Sequence, residues 1–569
     1  EDQKQKFLAT QQGELEGALG LAVFEMAKDR EARRQVLDVW LRRKGVILEA
    51  QKRYQEALVY SDDPQAQAVF QDLARVRARL SKLAFSPPGK DLEAYRKQIA
   101  DLEKEKDRLE AELARLSQAF AEQGEKRRAD AARVAAALPP GTLLLEFGRI
   151  KPFDYKATGV KSRWGPARYL AFVLPAGGAD QIGLVDLGPA EPIDQAITDF
   201  KQAVADTRDL EGQKASAAAG RLHDLVFARL KPELGRTTEI FISPDGQLNL
   251  IPFEVLRGPD GRYLIEDYTF YYLASGRDVL GFGRRTDEAG PSLLMGGPDY
   301  DLSGPAMAAQ LRGLGLSEGE PLRRSPDLRG LKFSPLPGTL NEVREIADLL
   351  GEDQARVYTG PQALEEVLLS VKAPRILHLA THGFFLEDQD LAALAGPRGL
   401  GLMAGDTGPA VHIENPLLRS GLALAGANAA LAGEDLGSSE GLLTAEKVLG
   451  LKLRGTDLVV LSACETGAGA VKTGEGVYGL RRAFVQAGTR GLVMSLWAVP
   501  DEETRELMVR FYRNVGSGRM NRGQALRRAA LEQMKTARER YGGANPLFWG
   551  AFVYLDAKKG TGAFFIRNQ

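Results

Sequence analysis

In the C-terminal half of the chain, short apolar runs alternate with amphipathic stretches. Arg375 to Thr381, Leu458 to Leu461 and Gly491 to Trp497 read as buried strands, and residues near 363–371, 476–487 and 501–515 read as helices. The same alternation starts at about residue 291, with a strand from Ser292 to Met295, a glycine pair, a polar Gly/Pro-rich passage and a helix near Leu340 to Leu350. Strands this short and continuously apolar, separated by helices, predict an α/β fold with a mainly parallel sheet sandwiched by helices. In such sheets reactive groups gather beyond the carboxyl ends of the strands.

Upstream, residues 141–290 carry a second α/β pattern. Strands are expected at Thr142 to Phe147, Tyr169 to Leu174, Ile182 to Leu187, Glu239 to Ser243 and Tyr268 to Leu273, with helices near 192–206 and 211–230. No catalytic cluster stands out there, and Ser243-Pro244-Asp245-Gly246 reads as a structural turn. Residues 1–138 differ again. They are dense in good helix formers and break chiefly at Ser86-Pro87-Pro88-Gly89, so they predict long helices that end at Pro139-Pro140-Gly141. Tyr95, Ile99, Leu102, Leu109, Leu113, Leu116 and Phe120 form a heptad seam, expected to close as an antiparallel hairpin within the chain rather than as a dimeric coiled coil. Residue 1 is not methionine and a helical pattern is already under way there, so the native protein is expected to continue further toward its N-terminus.

Composition narrows the classes. Lysine plus arginine, 75, nearly cancels aspartate plus glutamate, 76, so no overall field favours nucleic acid or an acidic membrane surface. No apolar window reaches the roughly 18 residues that a membrane span needs. A soluble, cytoplasmic protein is expected. A single cysteine excludes an intrachain disulfide and any multi-cysteine zinc site, in keeping with a reducing compartment. No metal or cofactor is expected.

That cysteine, Cys464, stands where the strand Leu458 to Leu461 breaks into Ser462-Ala463-Cys464-Glu465-Thr466-Gly467. A strand-end cysteine is ordinarily an inert small hydrophobe. The polar, glycine-bearing loop instead suggests an accessible thiol. The strand ending at Thr381 runs directly into His382, then Gly383, Phe384 and Phe385. A thiolate nucleophile needs a base or cationic neighbour near neutral pH, and His382 is the candidate. His378 lies inside its strand and reads as packed and hydrogen-bonded; His223 and His412 have no neighbours that imply a task. Gly474-Glu475-Gly476-Val477-Tyr478-Gly479 has the glycine spacing of a dinucleotide fingerprint but begins too far beyond the strand end, and Lys472-Thr473 lacks the glycines of a P-loop.

On these motifs the chain resembles the CHAT family of caspase-like cysteine peptidases, relatives of separase, caspases and gingipains. Ala380-Thr381-His382-Gly383 is similar to the family's catalytic histidine motif, and Ser462-Ala463-Cys464-Glu465-Thr466-Gly467 to its cysteine motif. Leu336-Pro337-Gly338-Thr339, Gly441-Leu442-Leu443-Thr444-Ala445-Glu446, Ser495-Leu496-Trp497 and Asn545-Pro546-Leu547-Phe548-Trp549 accompany them in the expected order. The resemblance covers roughly residues 140–555. It implies a protease-like domain without the dyad at 141–290, an active caspase-like domain at 291–569, and a preceding helical region, 1–138, like the tail of tetratricopeptide repeats.

The resemblance further implies catalysis by His382 and Cys464, with the backbone N–H groups of Gly383 and Cys464 as oxyanion hole. It makes Asp501 and Trp497 substrate-binding residues, Asp501 by holding an arginine before the scissile bond; on local grounds Asp501 could equally cap a helix beginning at Glu502 or Glu503. Expected partners are a protein or peptide substrate and a regulatory protein bound through the N-terminal helices, without nucleic acid or membrane. The alternative is a catalytically silent signalling scaffold that uses its helical region to bind proteins.

Overall fold

In the computed structural model, the described residues are 16–44 (except 22, 27 and 28), 64–84, 97–109, 112, 129–154, 163–281, 289–316, 332–385, 417–463 (except 418 and 438), 470–472 and 476–556. Five strands precede residue 290: β1 (Thr142–Ile150), β2 (Arg168–Pro175), β3 (Gly183–Pro189), β4 (Glu239–Ser243) and β5 (Thr269–Tyr272). Eleven follow: β6 (Ser292–Pro298), β7 (Ala355–Gly360), β8 (Ile376–Ala380), β9 (Gly383–Phe385), β10 (Ser420–Ala423), β11 (Leu442–Thr444), β12 (Leu458–Ser462), β13 (Ala470–Lys472), β14 (Gly476–Tyr478), β15 (Gly491–Ser495) and β16 (Phe552–Asp556).

One 11-stranded sheet, in the order β3-β2-β1-β4-β5-β16-β15-β12-β8-β6-β7, runs through both α/β segments. Strands β8, β12 and β15 are buried at every position, as their mainly apolar sequences require of a sheet covered on both faces. The helices Pro337–Leu350, Asp501–Gly516 and Arg522–Tyr541 pack successively along it. The two segments meet where Leu555 of β16 pairs with Tyr272 of β5. Helix Arg522–Tyr541 spans the seam: Arg527 donates to the carbonyls of Ile265 and Glu266, both at 2.7 Å, and Gln524 to Glu239 at 2.6 Å.

Strand direction reverses one strand beyond this seam, between β16 and β15. Strands β1, β4, β5 and β16 are mutually parallel, β16 is antiparallel to β15, and β15, β12, β8, β6 and β7 are parallel to one another. The carboxyl ends of the two strand sets therefore open on opposite edges of the sheet. At the edge belonging to the first set, Lys44, which caps helix Arg30–Arg43, is buried with its Nζ 2.7 Å from Glu146 Oε1 and 2.7 Å from Ser243 Oγ. This ion pair pins helix Arg30–Arg43 to the sheet.

Further upstream, Val69, Leu73, Val76 and Leu80 of helix Pro64–Ala84 enclose Leu109, with Ile99 and Leu102 packed against them. These members of the heptad seam thus pack within the chain; Tyr95, Leu113, Leu116 and Phe120 lie outside the described residues.

Local pattern misled over residues 476–479. The helix expected from residue 476 begins at Leu480, because Gly476–Tyr478 pairs with Ala470–Lys472 as a hairpin. Residues Gly476 to Tyr478 of the glycine motif thus form a strand rather than a turn that leads straight from strand to helix.

Candidate functional site

Strands β8 and β12 lie side by side and parallel, with Ala380 opposite Ser462, and the Thr381 N–H donates to the Ser462 carbonyl at 3.2 Å. His382 is two residues beyond Ala380, and Cys464 two residues beyond Ser462. Cys464, Glu465 and His412 lie outside the described residues. The chain leading to the cysteine is fixed as far as Ala463, whose carbonyl accepts from the buried Ser495 hydroxyl at 2.5 Å. The equivalent pairing in the first strand set is Glu146 opposite Ser243. Two residues beyond stand Gly148 and Asp245, so that set has neither imidazole nor thiol at the matching positions. Trp40 covers Gly148 so closely that an added Cβ would lie 2.9 Å from its ring.

His382 is held by its backbone and by two aromatic rings that also touch each other. Its carbonyl accepts from the Ala423 N–H at 2.9 Å, and the buried Thr381 hydroxyl bridges to Tyr300 Oη at 2.9 Å. The rings of Tyr300 and Phe333 stand 5.4 and 5.6 Å from the imidazole centroid. Nε2 is 2.8 Å from the Ser334 carbonyl, which can only accept, so Nε2 carries the proton and Nδ1 keeps the lone pair of the neutral ring.

Gly383 opens β9, which pairs antiparallel with β10, and β10 with β11. The bond from Ala423 N–H to the His382 carbonyl makes 382 and 423 the hydrogen-bonded pair. In the alternation of an antiparallel ladder, the N–H of the next residue, Gly383, then turns away from β10.

Asp501 is half-buried, and its Oδ2 accepts from the Gly338 N–H at 2.6 Å. The helix that follows begins at Asp501 itself and has no side-chain cap, so the carboxylate caps the neighbouring helix Pro337–Leu350 rather than its own. Trp497 is 6 % exposed, and its ring meets Phe200 edge-on at 5.8 Å. His378 is fully buried between Glu342, 2.9 Å from its Nε2, and Tyr512 Oη, 3.0 Å from its Nδ1, as its strand position predicted. Burial first, then the Glu342 carboxylate, pushes the Tyr512 phenol well above its usual range. Among the described residues no cluster of His, Cys, Asp or Glu could hold a metal ion, and no helix is long and apolar enough to cross a membrane.

Sequence reasoning did not single out Ser334, Phe333, Tyr300 or Ser495. Ser334 acts through its backbone carbonyl, which leaves no mark on residue type. The one usable signal for Ser495 was its place in Ser495-Leu496-Trp497.

Residues 216–557, more than half of the chain, match the CHAT domain model, and the chain belongs to the CHAT domain family. Two relatives are similar to it. Human tetratricopeptide repeat protein 28 is 27 % identical over 347 residues, and the mouse protein of the same name 25 % identical over 346. Each alignment takes in 59 % of this chain and 13 % of the relative, so the chain spans a small part of those proteins' length. Among solved structures, the Saccharomyces cerevisiae separase–securin complex aligns at 10 % identity and a TM-score of 0.29, over 58 % of this chain and 17 % of that one. The complex of Porphyromonas gingivalis RgpB pro- and mature domains aligns at 10 % identity and a TM-score of 0.33, over 64 % of this chain and 76 % of that one.

Proposed function

We propose that this chain is a cysteine endopeptidase acting through His382 and Cys464. The observation that carries the reading is the register of β8 and β12, whose last paired residues, Ala380 and Ser462, each stand two positions before one of the two reactive side chains. His382 Nδ1 takes the thiol proton. The Cys464 sulfur attacks the scissile carbonyl carbon, and the resulting oxyanion is met by the N–H groups of Gly383 and Cys464. The C–N bond breaks as His382 returns its proton to the leaving amine. Water then attacks the thioester while His382 removes its proton, releasing the carboxylic product and the thiol.

In this reading Asp501 recognises a basic residue before the scissile bond through the carboxylate oxygen not bound to Gly338, and buried Trp497 supports the segment that carries it. The N-terminal helices regulate the site. Arg77 Nε of helix Pro64–Ala84 is 3.5 Å from Glu446 Oε1, next to β11, and β11 pairs through β10 to the strand that begins at Gly383. A regulatory protein bound to the N-terminal helices would act along that route, on a protein or peptide substrate, in the cytoplasm.

Because Cys464 is the only thiol, its alkylation rate measures its reactivity directly. Rapid labelling that rises with pH, slowed by His382→Ala, together with cleavage in a basic peptide library, is the expected result. Sluggish labelling without hydrolysis, in a chain that includes its N-terminal helical region, would overturn it. That outcome would favour a signalling scaffold whose helices are the working surface, a reading that draws on the relatives named for tetratricopeptide repeats.

A further inference from the structure

We propose that Asn428 is a positioning residue that sets the hydrogen-bonding state of His382 by clamping the strap 332–336 against the imidazole. Asn428 lies in the helix Ala427–Ala432 and is 8 % exposed. Its Oδ1 accepts from the Phe333 N–H at 2.9 Å, and its Nδ2 donates to the Phe333 carbonyl at 2.9 Å. One side chain thus satisfies both main-chain groups of a residue 95 positions away, as a neighbouring strand would. Nδ2 also donates to Asp301 Oδ1 at 3.0 Å, and since a carboxylate only accepts, this contact fixes which end of the amide faces which partner.

The next residue along the strap is Ser334, the acceptor for His382 Nε2, and Phe333 itself supplies one aromatic wall of the ring. The second wall is tied to the same clamp: Tyr300 gives its carbonyl to the Asn428 N–H at 2.8 Å. Releasing Asn428 therefore loosens the Nε2 acceptor and one ring contact together. The lone pair on Nδ1 points where a proton can be taken only while Nε2 is held. A buried amide with both ends committed is costly to leave unpaired, which makes this clamp a stiff one.

The clamp itself is independent of the peptidase reading; only its consequence for rate rests on it. The test uses the full chain with 15N-labelled histidine, the His382 ring signals being assigned by their loss in His382→Gln. A slowly exchanging Nε2–H signal is expected in the parent and in an Asn514→Ala control. It should broaden or vanish in Asn428→Ala and in Asn428→Asp, which loses the donor to Phe333. Asp301→Ala, which removes the acceptor for Asn428 Nδ2 at an exposed residue, should speed exchange of the same proton. If the parent hydrolyses peptide, Asn428→Ala should lower kcat by about 100-fold with KM within about twofold. A ring signal unchanged in the folded variants would overturn the clamp, whereas a parent without thiol reactivity or hydrolysis would overturn the peptidase and leave the clamp measurable.

Discussion

Replacing Lys44 by methionine should release helix Arg30–Arg43 from the sheet. Lys44 is 1 % exposed at its side chain and Glu146 0 %, so neither charge can turn to water for compensation. Lys44 Nζ is surrounded by Glu146 Oε1 at 2.7 Å, Ser243 Oγ at 2.7 Å, the Ser243 carbonyl at 2.8 Å and the Phe147 carbonyl at 2.9 Å. Removing the ammonium leaves the Glu146 carboxylate with the Ser243 hydroxyl at 2.9 Å and the Gly276 N–H at 2.7 Å, both dipoles rather than charges. Breaking one side of a buried pair costs about 3–5 kcal/mol. A loss of that size is a large part of the roughly 5–15 kcal/mol that holds a domain together. Hydrogen exchange should therefore quicken over residues 30–44 and 142–150, and the urea midpoint should fall.

The double variant Lys44→Met, Glu146→Gln should recover about half of the loss. A neutral amide can still accept from Gly276 and donate to Ser243, and no unpaired charge remains. The reasoning fails if Lys44→Met alone costs less than about 1 kcal/mol, or if the double variant is no more stable than the single one.

Two further outcomes follow from the structure. Asp501→Ala should cost about 1–2 kcal/mol through loss of the cap on Gly338, read from the melting temperature, whereas Asp501→Asn should retain most of that stability because an amide oxygen still accepts; a drop in cleavage after arginine in Asp501→Asn at unchanged melting temperature would separate recognition from capping. Burial pushes the Glu254 carboxyl up to about 7 from 4.5, against the hydrogen bond from Tyr272 that pulls it down. A carboxyl that binds its proton more tightly when folded contributes stability below pH 4.5 and loses it as pH rises through 7, by at most about 3 kcal/mol. Chemical denaturation between those two pH values should show this decline in the parent and a flatter profile in Glu254→Gln.

Much of the candidate site was legible along the chain because each of its two halves follows a strand end. The runs before Thr381 and Ser462 are apolar apart from His378, and a strand buried on both faces needs that, so His382 was expected to follow a strand tip. The strap was not legible. Ser334 contributes a carbonyl, Asn428 reaches the neighbouring Phe333 from 95 residues away, and neither spacing nor residue type advertises such a contact. Strand β7 escaped for a related reason: as an edge strand it is only partly buried, so Ala355–Gly360 has no apolar run to betray it.

What the amino-acid order determined alone was local: helices before residue 138, buried strands by their continuous hydrophobicity, and a histidine and a cysteine each delivered by one of them. Tertiary structure decided which elements share a sheet and what faces His382. The pairing of Leu555 with Tyr272 joins both α/β segments, the carboxylate of Asp501 caps a helix 163 residues upstream rather than its own, and Lys44 locks helix Arg30–Arg43 to Glu146. Each depends on backbone groups or charges meeting across long loops, where the deciding term is the cost of leaving a buried polar group unpaired, and that cost has no periodicity along the chain.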